Sequence, residues 1–386
     1  MKEYPPQGDK DMFEGNVLRG SFAAVTGLIL LAGCAATRPG FEAALLQTTP
    51  SPAYSIALPQ PDMVVAVSPV RQTMQIGGSI PALLGAGISA IQDAHNASRI
   101  HDALAGYECG AFFEKQLRAS LEEQVDAPLQ QVRPFSTAAG FHNVRDAREA
   151  RIEGLRKSDH GLVLDFDLSY GIYGAEGLLA TRIHGEATDT ESGKVLWRNT
   201  ITRYSLDLYA DTRWRDPMER MAPSYFSPRL FTAEDAISQW TSDDGTHLKA
   251  CFENSVMDTV AAVLTDMGLE ESAEGHYVLG MQDTLEGRHE AAEEHFSRAA
   301  ALAPEMVEAA NGLSLAQAKN GRMDEALASA ETLAAAHPDY LPVHYNLAWW
   351  YAVEMKSPEK AHPYFDKAVA LGASPGRRLE KAMRTK

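Results

Sequence analysis

The C-terminal part of this chain is written in a period of 34 residues, and no other feature restricts its fold as strongly. Leu279, Gly280, Ala292, Phe296, Ala299 and Pro304 set a pattern, and Leu313, Ala326 and Pro338 repeat it in register. A third copy opens with Leu347, Ala348 and Tyr351, then continues as Ala361, Phe365 and Ala368, displaced by one residue. A period of this length suits one pair of antiparallel helices per copy, and a single pair cannot bury its apolar face alone. Small residues at 292, 326 and 361 let paired helices approach closely. Gly287 and Gly321 fall at turns inside the first two copies, and Pro304 and Pro338 stop the second helices. Three copies reach the usual minimum for a stable stack.

These positions resemble the tetratricopeptide repeat. The resemblance implies an all-α solenoid over 271–386, with the basic residues 376–386 as a capping helix. It also implies a concave groove lined by Tyr277, Met281, Asn311, Leu315, Tyr345 and Trp349. That stripe is apolar and aromatic with one amide, which suits an extended or helical peptide. It lacks the clustered lysine and arginine with which some members clamp a carboxylate. The other candidates to fill it are this chain's own preceding domain, its C-terminal helix or a second copy. Trp349 and Trp350 are adjacent, so one of them is expected inside the stack.

Ahead of the repeats the periodicity is mixed. Met63–Val67 is a short β-branched run between prolines, and 97–125 is apolar at helical spacing. A charged helix is expected over 143–157. In Leu162–Leu168 the leucines and Phe166 alternate with Asp165 and Asp167, which predicts a strand with one buried and one polar face. Asp189-Thr190-Glu191-Ser192-Gly193 joins two strand-like runs, 178–188 and 194–206, into a hairpin. A helix is expected over 246–267 and a short one near Glu234. The fold class is therefore α+β: a small mixed α/β sandwich domain over 62–270, then the solenoid. Residues 34–61, rich in Pro and Thr, read as a flexible tether. The strand, the hairpin and its Asp-to-Lys-Val-Leu-Trp turn resemble envelope lipoprotein modules of the curli-secretion and penicillin-binding-protein-activator type, and the N-terminal domain of the Tol-system propeller protein.

The N-terminus points the same way. Ser21–Ala32 is uncharged and mostly apolar, follows Arg19, and runs into Leu31-Ala32-Gly33-Cys34. Twelve residues of helix rise only ~18 Å, short of a ~30 Å hydrocarbon core. The tetrad resembles the lipobox of bacterial lipoproteins, which implies a leader over 1–33 and acyl chains on Cys34. The start is Met1 or Met12. Ala35, in place of the Asp associated with inner-membrane retention, implies the outer membrane with the protein facing the periplasm. Each buried methylene contributes about 0.8 kcal/mol, so several chains hold a protein on a bilayer without a spanning helix.

Composition and spacing exclude other classes. A net charge of −17 with no basic run excludes a phosphate-tracking surface, so no nucleic-acid partner is expected. With Cys34 acylated, Cys109 and Cys251 remain as either a disulfide pair or two buried thiols. No metal and no cofactor are expected. His289 and His295 are six apart, whereas a zinc helix needs four, and they read as solvated repeat surface. Ser192-Gly193-Lys194 lacks the rest of a phosphate loop. The half fingerprint at Gly85-Ala86-Gly87 has no acidic residue at the required distance. Asp165 and Asp167 share a strand face and could serve as an acid/base pair, although simple alternation accounts for them. The uncharged run Ile76–Ile91 is a buried segment, a shallow membrane insertion or an oligomer contact. The reading that unites these features is a non-enzymatic, lipid-anchored adaptor that holds an envelope protein or peptide through the repeats. The alternative is a regulator or subunit of an envelope enzyme, or an oligomeric export channel built from copies of the chain.

Overall fold

The computed structural model describes residues 41–58, 62–67, 93–125, 128–134, 144–174, 176–212 and 233–384, all within one compact unit that spans Arg38–Lys386. The leader, Cys34 and Ile76–Ile91 lie outside the described residues.

The sheet is built around β4 (Leu162–Tyr173), the strand with the clearest alternation in the sequence. It runs antiparallel to β5 (Leu178–Asp189), which runs antiparallel to β6 (Val195–Tyr204). The hairpin turn closes as expected: Asp189 accepts from the Ser192 N–H at 2.7 Å, and Gly193 takes the left-handed φ of 71°. Ser192-Gly193-Lys194 is therefore turn. The other edge of β4 is shared by two short parallel strands. β1 (Ala53–Ala57) pairs with Val163–Asp167, and β2 (Val64–Ala66) with Gly171–Tyr173. The first partner of β4 overturns part of the tether expectation. Residues 44–48 form α1 (Ala44–Thr48) and 53–57 form β1, with Tyr54 and Ile56 buried. Prolines flank that strand without interrupting it, because Ala53-Tyr54-Ser55-Ile56-Ala57 is short and β-compatible. A two-residue strand, β3 (Gln130–Gln131), extends the sheet beyond β1.

Helices cover both faces. The predicted 97–125 helix is two: α2 over 93–103, then α3 (Cys109–Gln124). Gly106, at φ 75°, turns the chain between them. Phe113 of α3 and Phe252 of α6 (Thr246–Asp266) meet Tyr170 of β4 at ring separations of 6.3 and 5.2 Å. Leu164, Phe166, Leu168 and Ile172 are buried with them. The charged helix α4 (Val144–Lys157) lies over the opposite, polar face, where Arg151 pairs with Asp165. A short α5 (Ala233–Trp240) precedes α6, and Trp240 donates to the Gly177 carbonyl at 2.7 Å. Cys109 is a buried free thiol and Cys251 a partly exposed one. Burial pushes the Cys109 thiol up to about 12, while Cys251 lies 3.6 Å from a ring nitrogen of His247. Among the described residues no helix is long and apolar enough to cross a membrane.

The repeats follow without a spacer, and α6 packs on the first of them. The pairs are α7 (Ala273–Glu286) with α8 (His289–Leu302), α9 (Val307–Lys319) with α10 (Met323–Ala336), and α11 (Leu341–Trp349) with α12 (Pro358–Ala370). A last helix, α13 (Arg377–Arg384), completes the stack. Ala292, Ala326 and Ala361 are fully buried where the paired helices meet. Phe296 is wedged between α7 and α9, and Gly280 and Gly312 make room for it. A Cβ at either glycine would stand within 2.9 Å of its ring. The one-residue displacement of the third copy also has a structural cause. Trp350–Glu354 is a π-helical turn, which takes up one extra residue without breaking the helix.

Candidate functional site

All six residues expected to line the concave face are buried: Tyr277, Met281, Asn311, Leu315, Tyr345 and Trp349 are each at most 6% exposed. The structure brings them together on the first helices of the repeats, as the period requires. It differs from the peptide-groove expectation in what covers them. The occupant is this chain's own segment 205–212, which leaves the end of β6 and runs across the concave face.

That segment has little structure of its own, and repeat side chains answer the Leu208 carbonyl and both backbone groups of Ala210. Asn346 does most of this. Its side-chain oxygen accepts from the Ala210 N–H at 2.7 Å, and its amide donates to the Leu208 carbonyl at 3.4 Å and to Asn311 Oδ1 at 2.9 Å. Asn311 donates to the same Leu208 carbonyl at 3.1 Å, and Lys319 reaches the Ala210 carbonyl at 3.4 Å. An Asn side chain presents a donor and an acceptor in one plane, so it reads a peptide group as another strand would. Buried amides of this kind are stabilising only because both ends are answered.

Rings lock the segment on either side. Tyr209 meets Tyr345 edge-on at 5.4 Å, and the Tyr345 hydroxyl donates to Asp211 Oδ2 at 3.2 Å. The guanidinium of Arg203, paired with Asp258 at 3.1 Å, lies 5.4 Å over the Tyr277 ring. Burial raises the Asp211 carboxyl to about 6, although the Tyr345 hydroxyl and the Lys319 charge pull it back. Beyond Asp211 the groove opens into a cleft of about 420 Å³ beside Lys319, Trp349 and Arg377. Trp349 is held by a bond to Glu354 at 3.2 Å and by the Arg378 guanidinium 5.0 Å above it; Trp350 is buried too.

Two of these participants were not singled out from the sequence. Asn346 stands one position past Tyr345, off the expected stripe, and its only trace is an amide in an otherwise apolar and aromatic helix. The occupant begins as Leu206-Asp207-Leu208, which alternates like a continuation of β6 before Tyr209-Ala210 breaks the pattern, and that was the available signal.

The second candidate, Asp165 with Asp167, lies in a cleft of about 280 Å³ between α4 and the sheet. Asp165 accepts from Arg151 and from the Ser55 hydroxyl. Glu186 bridges Arg148 and Arg198, and His184 Nδ1 bonds the Thr200 hydroxyl at 2.7 Å. Burial raises both aspartates, and Arg151 opposes this at each. Asp165 is thus engaged in an ion pair that fixes α4 on the sheet, a structural role for that aspartate. His295 also departs from expectation. It is half-buried between α7 and α8, with its Nδ1 2.9 Å from that of His276, so it is not solvated repeat surface. Among the described residues no group of three or more His, Cys, Asp or Glu side chains could hold a metal ion.

A tetratricopeptide-repeat family model matches residues 284–349. Among solved structures the chain is similar to MamA, at 21% identity and a TM-score of 0.27, over 36% of this chain and 86% of that one. It is also similar to PelC dodecamers from Paraburkholderia phytofirmans. One is 12% identical with a TM-score of 0.22 over 60% of this chain and 94% of that one. The other is 13% identical with a TM-score of 0.21 over 56% and 87%. No curated protein matches the sequence. TM-scores this low leave the fold to be argued from the chain's own elements. Those elements and the matched repeats define an α+β protein with a tetratricopeptide-repeat scaffold, the class of module that holds other proteins.

Proposed function

We propose that this chain is a non-enzymatic scaffold of the bacterial cell envelope, anchored by acyl chains on Cys34 to the outer membrane and facing the periplasm. Its task in this reading is to hold proteins together during assembly of a secretion, cell-wall or surface-polymer apparatus. The observation that carries the scaffold part is the filled concave face. With 205–212 seated on Asn311, Tyr345 and Asn346, the α/β layer and the repeats belong to one compact unit. Such a body presents partners with fixed outer surfaces, and a partner peptide reaches the concave face only by displacing the chain's own segment. That segment is covalently attached a few residues away, so its effective concentration is high and the displacement costly. The anchor is supported by the Leu31-Ala32-Gly33-Cys34 tetrad and the apolar run before it.

The test is direct. Intact-mass measurement of the membrane-extracted protein should give a chain beginning at Cys34 with added acyl mass, and Cys34→Ala should move it to the soluble fraction. An uncleaved, unacylated chain in the cytosol would refute the anchored reading.

A further inference from the structure

Two histidines touch each other where the first repeat meets the α/β layer. His276 of α7 and His295 of α8 face one another with their Nδ1 atoms 2.9 Å apart and their ring centroids at 5.2 Å. Their side chains are 12% and 28% exposed, so both rings lie mostly out of water. The contact has room for one proton. A neutral imidazole carries a single ring N–H, so one Nδ1 donates and the other accepts. A first added proton goes to an Nε2 and leaves that bond in place. A second goes to the accepting Nδ1, which sets two N–H groups and two charges head to head.

The carboxylates around the pair are already engaged. Asp283 of α7, 3.8 Å from His295 Nε2, is held by Arg288 at 2.9 Å. Glu271, just before α7 and 3.9 Å from His276 Nε2, pairs with Arg298 of α8 at 2.6 Å. Asp266, at the end of α6, accepts from Trp197 Nε1 and Asn199 Nδ2 of β6, both at 2.8 Å, and its charge acts on His295. Glu294 of α8 favours the charged form of each ring, while Arg298 and Arg288 oppose it. Burial is the largest influence on both and holds them below the ordinary imidazole value of 6.5.

We propose that His276 and His295 form an acid-sensitive catch: α7 and α8 stay closed on α6 and β6 while the rings share one N–H···N bond, and they part there when both rings are charged. The closed pair binds fewer protons than two separated rings. The closed form is therefore favoured above about pH 6.5 and weakens as pH falls below it. Tyr277 stands next to His276 on α7 and lies under the guanidinium of Arg203 of β6. Acid thus loosens the repeats at the end where 205–212 sets out. Asp211, at the other end of that segment, responds in the opposite sense, since its raised carboxyl is protonated in acid and still accepts from Tyr345.

The catch goes beyond the scaffold reading and does not depend on how the chain is anchored. Hydrogen exchange of the full chain, read by mass spectrometry on peptides from 273–302 and corrected for the intrinsic effect of pH, follows the opening locally. Protection of 273–302 should fall about tenfold from about pH 6.5 to about pH 5.5, the slope of one proton taken up. His295→Gln keeps a hydrogen-bonding side chain that does not ionise, and its protection should hold constant over that range. His289, also on α8 and also held low by burial, remains in this variant. A loss of protection that persists in His295→Gln would therefore assign the effect to His289 and overturn the catch, as would constant protection in the wild type. If His295→Gln does not fold, ring-nitrogen NMR of the wild-type chain decides. The expected result is two coupled steps with the second below pH 6.5, and two independent rings titrating near 6.5 would overturn the proposal.

Discussion

The repeat stack has two apolar hollows, and they differ in what covers them. The concave face carries Tyr277, Asn311, Tyr345 and Trp349 and is filled by 205–212 of the same chain. The terminal hollow, beside α13, carries Val353, Ala382 and Met383 under a basic rim and is open. The difference follows from connectivity. The strand β6 ends beside the concave face, so its continuation needs only a few ordered residues to fill it, and the entropic cost of closing so short a loop is small. No described segment leads into the terminal hollow. The familiar binding face of such a solenoid is thereby used as an internal joint.

The sharpest way to break this comparison is Tyr209→Ala. If the segment is integral to the fold, removing a ring that is 3% exposed should cost about 3 to 4 kcal/mol, measured by urea unfolding. A loss below about 1 kcal/mol would mean the segment rests on the groove without contributing to stability. Asn346→Leu comes next. It strands the Ala210 N–H and removes the bond to Asn311, for a loss of about 2 to 3 kcal/mol by the same measurement.

A third prediction uses pH. Asp211 is raised from 3.8 to about 6 because it is buried. Between those values the folded chain holds a proton that the unfolded chain has released, so stability is full below about 4 and falls as pH rises through about 6. Asp211→Asn still accepts from Tyr345 and cannot ionise. It should flatten that decline, with higher stability than wild type at pH 7 and no advantage at pH 4. A wild-type slope retained in the variant would assign it to another group. The smallest effect belongs to the open hollow. Lys381→Glu with Arg384→Glu should leave unfolding within about 0.5 kcal/mol of wild type, because both side chains are exposed. A larger loss would show that the rim is structural, and the contrast between the hollows would narrow.

Much of the fold was legible because it rests on local periodicity. The alternation in Leu162–Leu168, the Asp189–Gly193 turn and the 34-residue period each specify their element from nearby residues alone. The displaced third copy was visible as a shift in spacing, and the π-helical turn at Trp350–Glu354 is its cause. The groove positions were legible for the same reason, since a helical period fixes which side chains share a face. What covered them was left open, with the chain's own preceding domain among the candidates. Ala53–Ala57 was missed as a strand because five residues between prolines gain their stability from Val163–Asp167, more than a hundred residues on. The same distance hid Asn346, whose partners are Leu208 and Ala210.

The sequence by itself determined the repeat stack, the hairpin sheet and the candidate acylation tetrad, because each is a pattern of neighbours. Only the tertiary structure decided that the inner face of the repeats is occupied by the segment that follows β6 and that no described segment fills the hollow beside α13. Both depend on where β6 and α13 end in space. A backbone amide answered by an asparagine 136 residues away leaves no trace in local spacing.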